Sequence, residues 1–529
     1  MTRSGQHVLM ATMTSIPRRE PAAALLLVVL ASMFLLSGIS GLVYQVLWMR
    51  LLSLTLGVTV WAASAVLGSY MAGLAIGSLI GGRLADRSRR PLVWYGVVEL
   101  LIVLCGIGSP WALDAAESLF VSLAPVLPDS FAALTSVRVV LAFAVLLIPT
   151  TLLGATSPLL FTVVARRDQR FAERVSLLYA ANTAGAVVGT LITAFFLVGR
   201  FGMSASFGMA ASINLLVGLI AIFLSIDRRQ APQVSGSLPD PHPLPTAVLP
   251  GSLSNRRRWL VLLIFSISGF VTLSLEVVWL RVLVLYLPGT VYLFALILAV
   301  VLVGITAGSF LVQPLLRRGG DLWLALASLE IVIGISTLLS IAPLARFPGA
   351  VEALRPHLTE INVFALLPTA LALGAAWPIG LRLWVSESQG RRTGGQVGAF
   401  YSCNLLGALV GSLAAGFLLL PILGSQYSLI LLAALSFAGG MALLPVTRPR
   451  STATVVGTLG VATFVVAAVT TPDPFQALLA QRYPNLELLW SREGVQGTVT
   501  VHQLSDGARV LLKDGSHEAD DRALIVLKH

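Results

Sequence analysis

Six polar side chains that lie within apolar segments or at their ends are the first candidates for chemistry in this sequence. They form three pairs with one spacing of 231 positions (276 − 45, 281 − 50, 330 − 99): Gln45 and Glu276, Arg50 and Arg281, Glu99 and Glu330. Ionisable groups are costly to bury in a bilayer, and those found there usually serve a substrate or ion pathway. The three pairs therefore predict such a pathway.

The individual residues also have simpler interpretations. Glu276 and Arg281 lie five positions apart near the outer end of the seventh apolar segment. They could form a cation site, but also a structural ion pair, or Arg281 could snorkel to the interface. Glu99 and Glu330 lie early in the third and ninth segments. They could relay protons or contact a solute, or they could simply pair with nearby Arg-rich loops.

Composition makes the chain a polytopic membrane protein. It is 56% hydrophobic and 11% charged, against roughly 25% charged residues in ordinary globular domains. The net charge of +11 comes from arginines in short loops beside apolar segments, as the positive-inside rule predicts, and this argues against a nucleic-acid partner. The cysteines Cys105 and Cys403 lie in apolar segments, and the histidines show no ligand spacing, so we expect no metal site.

A tandem duplication organises the chain. SGISGLVYQVLWMR (37–50) matches SGFVTLSLEVVWLR (268–281), and VSLLYAANTAGAVVGT (175–190) matches VGAFYSCNLLGALVGS (397–412) at an offset of 222. Repeats of this kind indicate two equivalent structural halves. We predict an all-α bundle with six membrane helices at 1–225, a cytoplasmic linker at 226–258, six more helices at 259–445 and a thirteenth helix at 446–471.

Loops rich in Arg alternate along the chain with loops that are poor in Arg. All the Arg-rich loops therefore fall on one side of the bundle, and the positive-inside rule identifies that side as the cytoplasm. We predict a cytoplasmic N-terminus on an uncleaved first helix, in the inner (plasma) membrane. Thirteen spans would then place the C-terminal segment outside. Reporter fusions at residue 490 and in 230–245 test this, since opposite sides would confirm thirteen spans.

Several smaller features have structural interpretations. Trp48 and Trp279 lie at segment ends, where we expect interfacial anchoring. The G-x-x-x-G pairs at 73–77 and 304–308 predict close helix contacts. After residue 471 the sequence becomes polar, and the segments 498–504 and 508–513 flank a turn, which predicts a β-hairpin.

The loop GGRLADRSRR (81–90) resembles the cytoplasmic loop motif of major facilitator superfamily (MFS) transporters. The matching positions are Gly82, Arg83, Asp86 and Arg87. Small residues there allow close helix approach, and Asp86 can pair with either arginine or with a neighbouring helix end. The resemblance implies an MFS-like bundle of six plus six helices, which agrees with the repeat.

A second resemblance is to fused proteins in which an MFS-like region precedes a spermidine-synthase-like domain. The membrane motifs of 37–87 carry it, and EGVQGTVTVHQLSDGARVLLKDGSHEAD (493–520) resembles the entry strands of aminopropyltransferases. Asp514 and Gly515 match that family's motif, and Glu518 stands where Gln is usual. We therefore interpret 472–529 as an incomplete N-terminal β region of such a domain.

This family uses decarboxylated S-adenosylmethionine to transfer an aminopropyl group to a polyamine. Its glycine-rich loop and catalytic aspartates follow the entry strands, beyond residue 529. We therefore expect no catalytic residue, no cofactor and no aminopropyl transfer in this chain itself. The leading hypothesis is the membrane region of a polyamine aminopropyltransferase-type protein. The alternatives are an MFS-like secondary transporter of a small solute, such as a polyamine, and an inactive anchor or scaffold.

Overall fold

The computed structural model describes residues 20–56, 60–165, 171–227, 255–286, 291–318, 320–341, 365–385, 393–477, 486–493, 497–504, 507–513 and 516–520. Most of these residues are helical. The predicted linker lies largely outside the described residues, as do Asp514 and Gly515 of the C-terminal motif. Thirteen helices of 18 residues or more occur within the described ranges.

The first half contains six long helices. Each is apolar over most of its length, as a helix that contacts lipid or other helices must be. They are α1 (Glu20–Leu56), α2 (Val60–Arg87), α3 (Pro91–Leu123), α4 (Phe131–Ala165), α5 (Phe171–Ile192) and α6 (Val198–Asp227).

The second half repeats this order and adds one helix. A short helical segment, Gln313–Arg318, follows the second of these helices. The long helices are α7 (Asn255–Tyr286), α8 (Val291–Leu311), α9 (Leu322–Leu339), α10 (Leu367–Val385), α11 (Thr393–Ala414), α12 (Leu420–Leu443) and α13 (Arg450–Thr470).

Nine helical stretches of the described chain are long and apolar enough to cross a membrane. Two of these stretches are 53 residues long, and each contains two helices, α5 with α6 and α11 with α12. Helices α2 and α10 complete the thirteen. The predicted fold class, a pseudo-symmetric bundle of six plus six helices with one extra helix, is confirmed.

The two halves share an irregular join between their fifth and sixth helices. A π-helical turn, Thr193–Leu197 in the first half and Ala415–Leu419 in the second, is followed by a glycine with positive φ. Gly202 has φ 77° and Gly424 has φ 73°, and both have nearly extended ψ, a conformation that is essentially restricted to glycine. The offset is again 222 (424 − 202), so the duplication preserved this reversal of chain direction.

The predicted G-x-x-x-G contacts are present. A Cβ atom added at Gly77 would lie 1.9 Å from the carbonyl oxygen of Thr151, and one added at Gly308 would lie 2.0 Å from that of Leu371. Helices α2 and α4, and likewise α8 and α10, therefore approach closely enough that their backbones touch.

The interfacial position expected for Trp48 and Trp279 is wrong. Both indoles are buried, with 1% of each side chain exposed, and both donate hydrogen bonds across the bundle. Trp48 Nε1 donates to Ser109 Oγ at 2.8 Å, and Trp279 Nε1 donates to Ser340 Oγ at 3.1 Å. Both positions lie within the packed interior of the bundle. A buried indole then needs an acceptor.

The C-terminal segment forms a four-stranded antiparallel sheet in the order β1-β2-β3-β4. The strands are β1 (Glu487–Glu493), β2 (Thr498–Gln503), β3 (Arg509–Lys513) and β4 (Ser516–Asp520). Strands β2 and β3 are the predicted hairpin, and β1 and β4 extend it. The sheet buries Val510 and Leu512 against Phe475, and burial lowers the pKa of His502 on β2.

Candidate functional site

A cavity of about 230 Å³ lies between the two halves of the bundle. It is lined by α1, α2, α4 and α5 of the first half and by the equivalent helices α7, α8, α10 and α11 of the second. The duplication thus places corresponding faces of the halves opposite each other. Cavities between helices of a bundle, mostly apolar with a few polar groups, are typical sites for small ligands.

One end of the cavity carries a carboxylate. Glu276 on α7 lines it, as does its repeat equivalent Gln45 on α1. Only 5% of Glu276 is exposed, and its Oε1 has no hydrogen-bond partner among the described residues. Glu276 is also the one Asp, Glu, Lys or Arg side chain in the described lining. This end can therefore accept hydrogen bonds from a positively charged ligand.

The other end of the cavity is aromatic. The rings of Tyr179 and Trp377 stack with centroids 4.0 Å apart, and the ring of Tyr401 is nearly perpendicular to Trp377 at 6.3 Å. All three side chains line the cavity. The Nε1 atom of Trp377 has no hydrogen-bond partner within the described part of the chain. This aromatic end offers ring faces and one unused N–H donor.

The two ends are separated along α7. Phe265 lines the cavity near the aromatic end, because its ring lies 4.6 Å from that of Phe400, which in turn lies 6.1 Å from that of Trp377. Glu276 follows Phe265 by 11 residues (276 − 265). At 1.5 Å per residue the two levels are roughly 16 Å apart. A single small group cannot contact both ends.

Of the six predicted pathway residues, the structure brings Gln45 and Glu276 together at the cavity. Arg281 lies beyond it, buried, and its Nη2 donates to Thr498 Oγ1 on β2 at 2.6 Å. Its equivalent Arg50 is not part of the cavity lining. The sheet thus packs against the end of α7 that is opposite the Arg-rich linker end.

Glu99 and Glu330 lie behind the cavity wall. Glu99 accepts from Ser37 Oγ at 2.7 Å and from Asn214 Nδ2 at 2.6 Å, so its bonding is with neighbouring helices rather than with an Arg-rich loop. Ser37 itself lines the cavity. Glu330 is buried as deeply, but its Oε1 has no partner among the described residues. The position equivalent to Asn214 is Ser436 (436 − 214 = 222), which shortens the polar side chain there.

The loop motif joins the two halves. Asp86 accepts hydrogen bonds from the backbone N–H groups of Gly394 at 2.9 Å and Gly395 at 2.7 Å, at the start of α11. This is the neighbouring helix end that the motif predicted, and a carboxylate there also interacts favourably with the helix dipole. Gly82 allows the approach, because an added Cβ would lie 2.7 Å from Gly394 O. Arg83 and Arg87 are exposed.

The second half makes a related contact with different residues. Gln313, which occupies the position of Gly82 (313 − 82 = 231), donates to Ser176 Oγ on α5 at 2.7 Å. Arg317 replaces Asp86 at the same offset. The first repeat therefore supplies Asp86, the acidic side chain that caps a helix of the other half. The second repeat supplies Glu276, the carboxylate of the cavity.

Helices α2 and α11 contact on both sides of the cavity. On the side of the loop motif, Ser402 Oγ donates to Ala75 O at 2.8 Å. Towards the other end of α2, a Cβ atom added at Gly68 would lie 3.2 Å from Leu413 Cδ2. The cavity is therefore closed along this helix pair.

Replacing Asp86 with Asn tests the loop contact. The substitution keeps the size of the side chain but removes the charge from the start of α11, which costs about 1–2 kcal/mol. We expect α2 and α11 to separate more often, so that a cysteine at Ser402 reacts with a water-soluble maleimide about tenfold faster in a background without Cys105 and Cys403.

The matched control for this prediction is Asp321→Asn. Asp321 caps the start of α9 through the N–H groups of Trp323 and Leu324, at 2.9 Å and 3.2 Å, with the same chemistry but within one half. It should leave the labelling rate at Ser402 unchanged. Equal rates in the Asp86→Asn variant and the wild type would show that the contact does not hold the halves together.

Comparison with known proteins agrees with this architecture. The family model described as Major Facilitator Superfamily matches residues 25–354, which is 330 of the 529 residues (354 − 25 + 1). The chain belongs to the major facilitator superfamily. It is therefore a multi-pass membrane protein of the MFS type, and the eight-helix cavity is the central cavity between the two halves of an MFS bundle.

Solved MFS structures show the same fold. The fucose:proton symporter FucP of E. coli is 15% identical with a TM-score of 0.50, covering 79% of this chain and 98% of the symporter. The human organic anion transporter MFSD10 gives the same identity, TM-score and coverage. At these identities the similarity concerns the fold alone.

Two curated relatives come from Streptomyces coelicolor. Polyamine aminopropyltransferase 1 is 30% identical over 191 residues, which is 36% of this chain and 32% of that protein. Polyamine aminopropyltransferase 2 is 30% identical over 202 residues, which is 38% of this chain and 34% of that protein. The chain thus spans about a third of the length of these relatives.

Sequence reasoning missed the aromatic end of this MFS cavity. Tyr179 and Tyr401 were visible as repeat equivalents (401 − 179 = 222), but a conserved spacing does not show that two tyrosines share a cavity. Trp377 has Ser157 at the matching position in the first half (377 − 157 = 220), so a comparison of the two repeats does not single out this tryptophan. Glu518 lies on β4, away from the cavity lining.

Proposed function

We propose that this chain is a secondary transporter that carries a small, positively charged organic solute through the central cavity. The observation that carries the proposal is Glu276, a buried carboxylate in the cavity wall, with an oxygen that no described residue binds. A buried carboxylate without a partner is costly, and a cationic solute would supply the missing partner. Gln45 opposite it can accept from the same ammonium group.

The two-fold arrangement of the halves supplies a transport mechanism. The solute binds between the halves, and rocking of one half against the other exposes the cavity first to one side of the membrane and then to the other. Asp86 at the start of α11 and Gln313 beside α5 link the halves on the loop-motif side. Opening the bundle on the loop-motif side breaks these polar contacts without disrupting the residues that line the cavity.

A second candidate function is a role beside polyamine synthesis. It is favoured by the 30% identity to two polyamine aminopropyltransferases and by the strands at the C-terminal end. In this case the membrane region would bind or deliver a polyamine next to a catalytic domain that uses decarboxylated S-adenosylmethionine. Binding of putrescine or spermidine to the purified chain, without uptake of either into proteoliposomes, would favour this role over the transporter.

We further propose that the loop motif faces the cytoplasm of the inner (plasma) membrane and that the sheet faces outward. The arginines near Asp86 and the position of the sheet at the far end of α7 support this orientation. Reporter fusions at residue 490 and in 230–245 that fall on the same side would contradict it.

Filling the cavity tests the proposed function. Gly41 lines the cavity, and the nearest atoms to an added Cβ there are 3.7 Å and 3.8 Å away, so Gly41→Leu should fold but occupy the solute's space. We expect proteoliposomes with wild-type protein to take up radiolabelled amines, with spermidine as one member of the set, and Gly41→Leu to reduce uptake at least tenfold.

The control for this experiment is Gly208→Leu. Gly208 is exposed on α6, and no atom of the described residues lies within 4 Å of an added Cβ, so this variant should transport like the wild type. Transport that is unchanged in Gly41→Leu, or absent from the wild type for every amine, would overturn the proposal.

A further inference from the structure

We propose that the cavity selects elongated organic cations that carry a single positive charge at one end and an uncharged hydrogen-bond acceptor or aromatic group at the other. Polycations such as diamines would bind less well. This inference rests on the proposed function, because it assumes that the solute occupies the cavity between the halves.

The charged end of the ligand is specified by Glu276. Its carboxylate is the one acidic side chain of the described lining, and 5% of the residue is exposed. It can neutralise one ammonium group. Every further ammonium would be desolvated without a charged partner, and an unpaired buried charge is far more costly than an uncharged polar group.

The uncharged end of the ligand is specified by Trp377. Its indole N–H can only donate a hydrogen bond, and it has no partner among the described residues although 5% of the residue is exposed. An ammonium group also only donates, so it cannot satisfy this atom. A carbonyl, ether or hydroxyl oxygen can. The hydroxyl groups of Tyr179 and Tyr401 can donate or accept, so Trp377 Nε1 is the atom that discriminates.

The ring faces do not reverse this preference. A cation placed over an aromatic ring gains about 0.5–2 kcal/mol, whereas the desolvation of an ammonium costs several kcal/mol. An apolar or aromatic group has no such cost and can stack beside the Tyr179–Trp377 pair, whose centroids are 4.0 Å apart. The aromatic end therefore favours an uncharged part of the ligand.

The distance between the two ends requires an elongated ligand. Roughly 16 Å separates the levels of Phe265 and Glu276 along α7, three helical turns, and both residues line the cavity. A compact cation held at Glu276 would leave the aromatic end empty. A chain with an amine at one end and an amide or ring at the other satisfies both unpaired polar atoms at once.

A matched pair of ligands tests this inference. The probes are 1,8-diaminooctane and its mono-N-acetyl derivative, which has the same chain but one charge fewer and one carbonyl oxygen more. We expect isothermal titration calorimetry on the detergent-solubilised full chain to give at least tenfold tighter binding of the acetylated probe. Equal or tighter binding of the diamine would overturn the proposal.

Two tryptophan variants identify the discriminating atom. Trp377→Phe keeps a ring but removes the N–H donor, and should reduce the preference for the acetylated probe to about twofold or less. Trp94→Phe is the control, because Trp94 is 42% exposed on α3 and does not line the cavity; it should leave the preference unchanged. A full preference in Trp377→Phe would also overturn the proposal.

This binding experiment separates the inference from the proposed function. Selective binding without uptake into proteoliposomes would support the ligand class and contradict transport. Uptake of amines without any preference for the acetylated probe would support transport and contradict the ligand class.

Discussion

Glu276→Gln should lower the kcat/KM for uptake of organic cations at least about 25-fold in proteoliposomes. The amide has nearly the shape of the carboxylate, but it cannot neutralise an ammonium group inside the cavity. Losing one partner of a buried charge pair costs about 2–5 kcal/mol, and each 1.4 kcal/mol is a factor of ten. Because Glu276 Oε1 has no partner among the described residues, the neutral variant should remain folded.

The control for this prediction is Glu117→Gln on α3. Glu117 is a partly exposed carboxylate whose oxygen lies 3.9 Å from the Arg138 guanidinium, and such surface pairs contribute little. It should transport within about twofold of the wild type. If Glu276→Gln transported equally well, the cavity carboxylate would have no part in recognising the solute.

The second large effect is expected from Gly77→Ala. The added Cβ would lie 1.9 Å from the carbonyl oxygen of Thr151 and 3.0 Å from the backbone nitrogen of Ala155. A side chain could relieve such a clash by changing its rotamer, but backbone atoms cannot. Helices α2 and α4 would have to move apart, which costs about 1–3 kcal/mol or more. We expect a lower Tm in detergent and a smaller monodisperse fraction on size-exclusion chromatography.

Two further variants make this prediction specific. Gly308→Ala should have a similar effect, since its Cβ would lie 2.0 Å from Leu371 O in the equivalent contact. Gly208→Ala has open space around the added Cβ and should be neutral or slightly stabilising, because alanine favours helix more than glycine does. A wild-type Tm for Gly77→Ala would mean that the two helices are not in backbone contact.

The repeat made much of the bundle predictable. Equal offsets pair residues whose surroundings are equivalent, and this is why Gln45 and Glu276 could both be named as candidates for one pathway. The same offsets also relate the Trp48–Ser109 and Trp279–Ser340 hydrogen bonds (340 − 109 = 231). Those bonds were missed because apolar periodicity shows where a helix lies and not how deep a tryptophan sits in the bundle.

The different hydrogen bonding of Glu99 and Glu330 could not be read from the sequence. Glu99 and Glu330 are identical residues at equivalent positions, yet Glu99 accepts from Ser37 and Asn214 whereas Glu330 has an oxygen without a partner in the described ranges. Asn214 lies on a different helix from Glu99, and the sequence alone does not show that these two helices are in contact. The aromatic end depends in the same way on helices distant in sequence.

The measurement that tests transport most directly is counterflow. Proteoliposomes loaded with unlabelled mono-N-acetyl-1,8-diaminooctane are diluted into a trace of the radiolabelled compound, with no ion gradient present. We expect transient accumulation of label that is faster than in unloaded vesicles and is lost in Glu276→Gln, since a carrier exchanges solute through one cavity. Label that enters at the same rate in loaded, unloaded and protein-free vesicles, for this compound and for spermidine, would contradict a transporter.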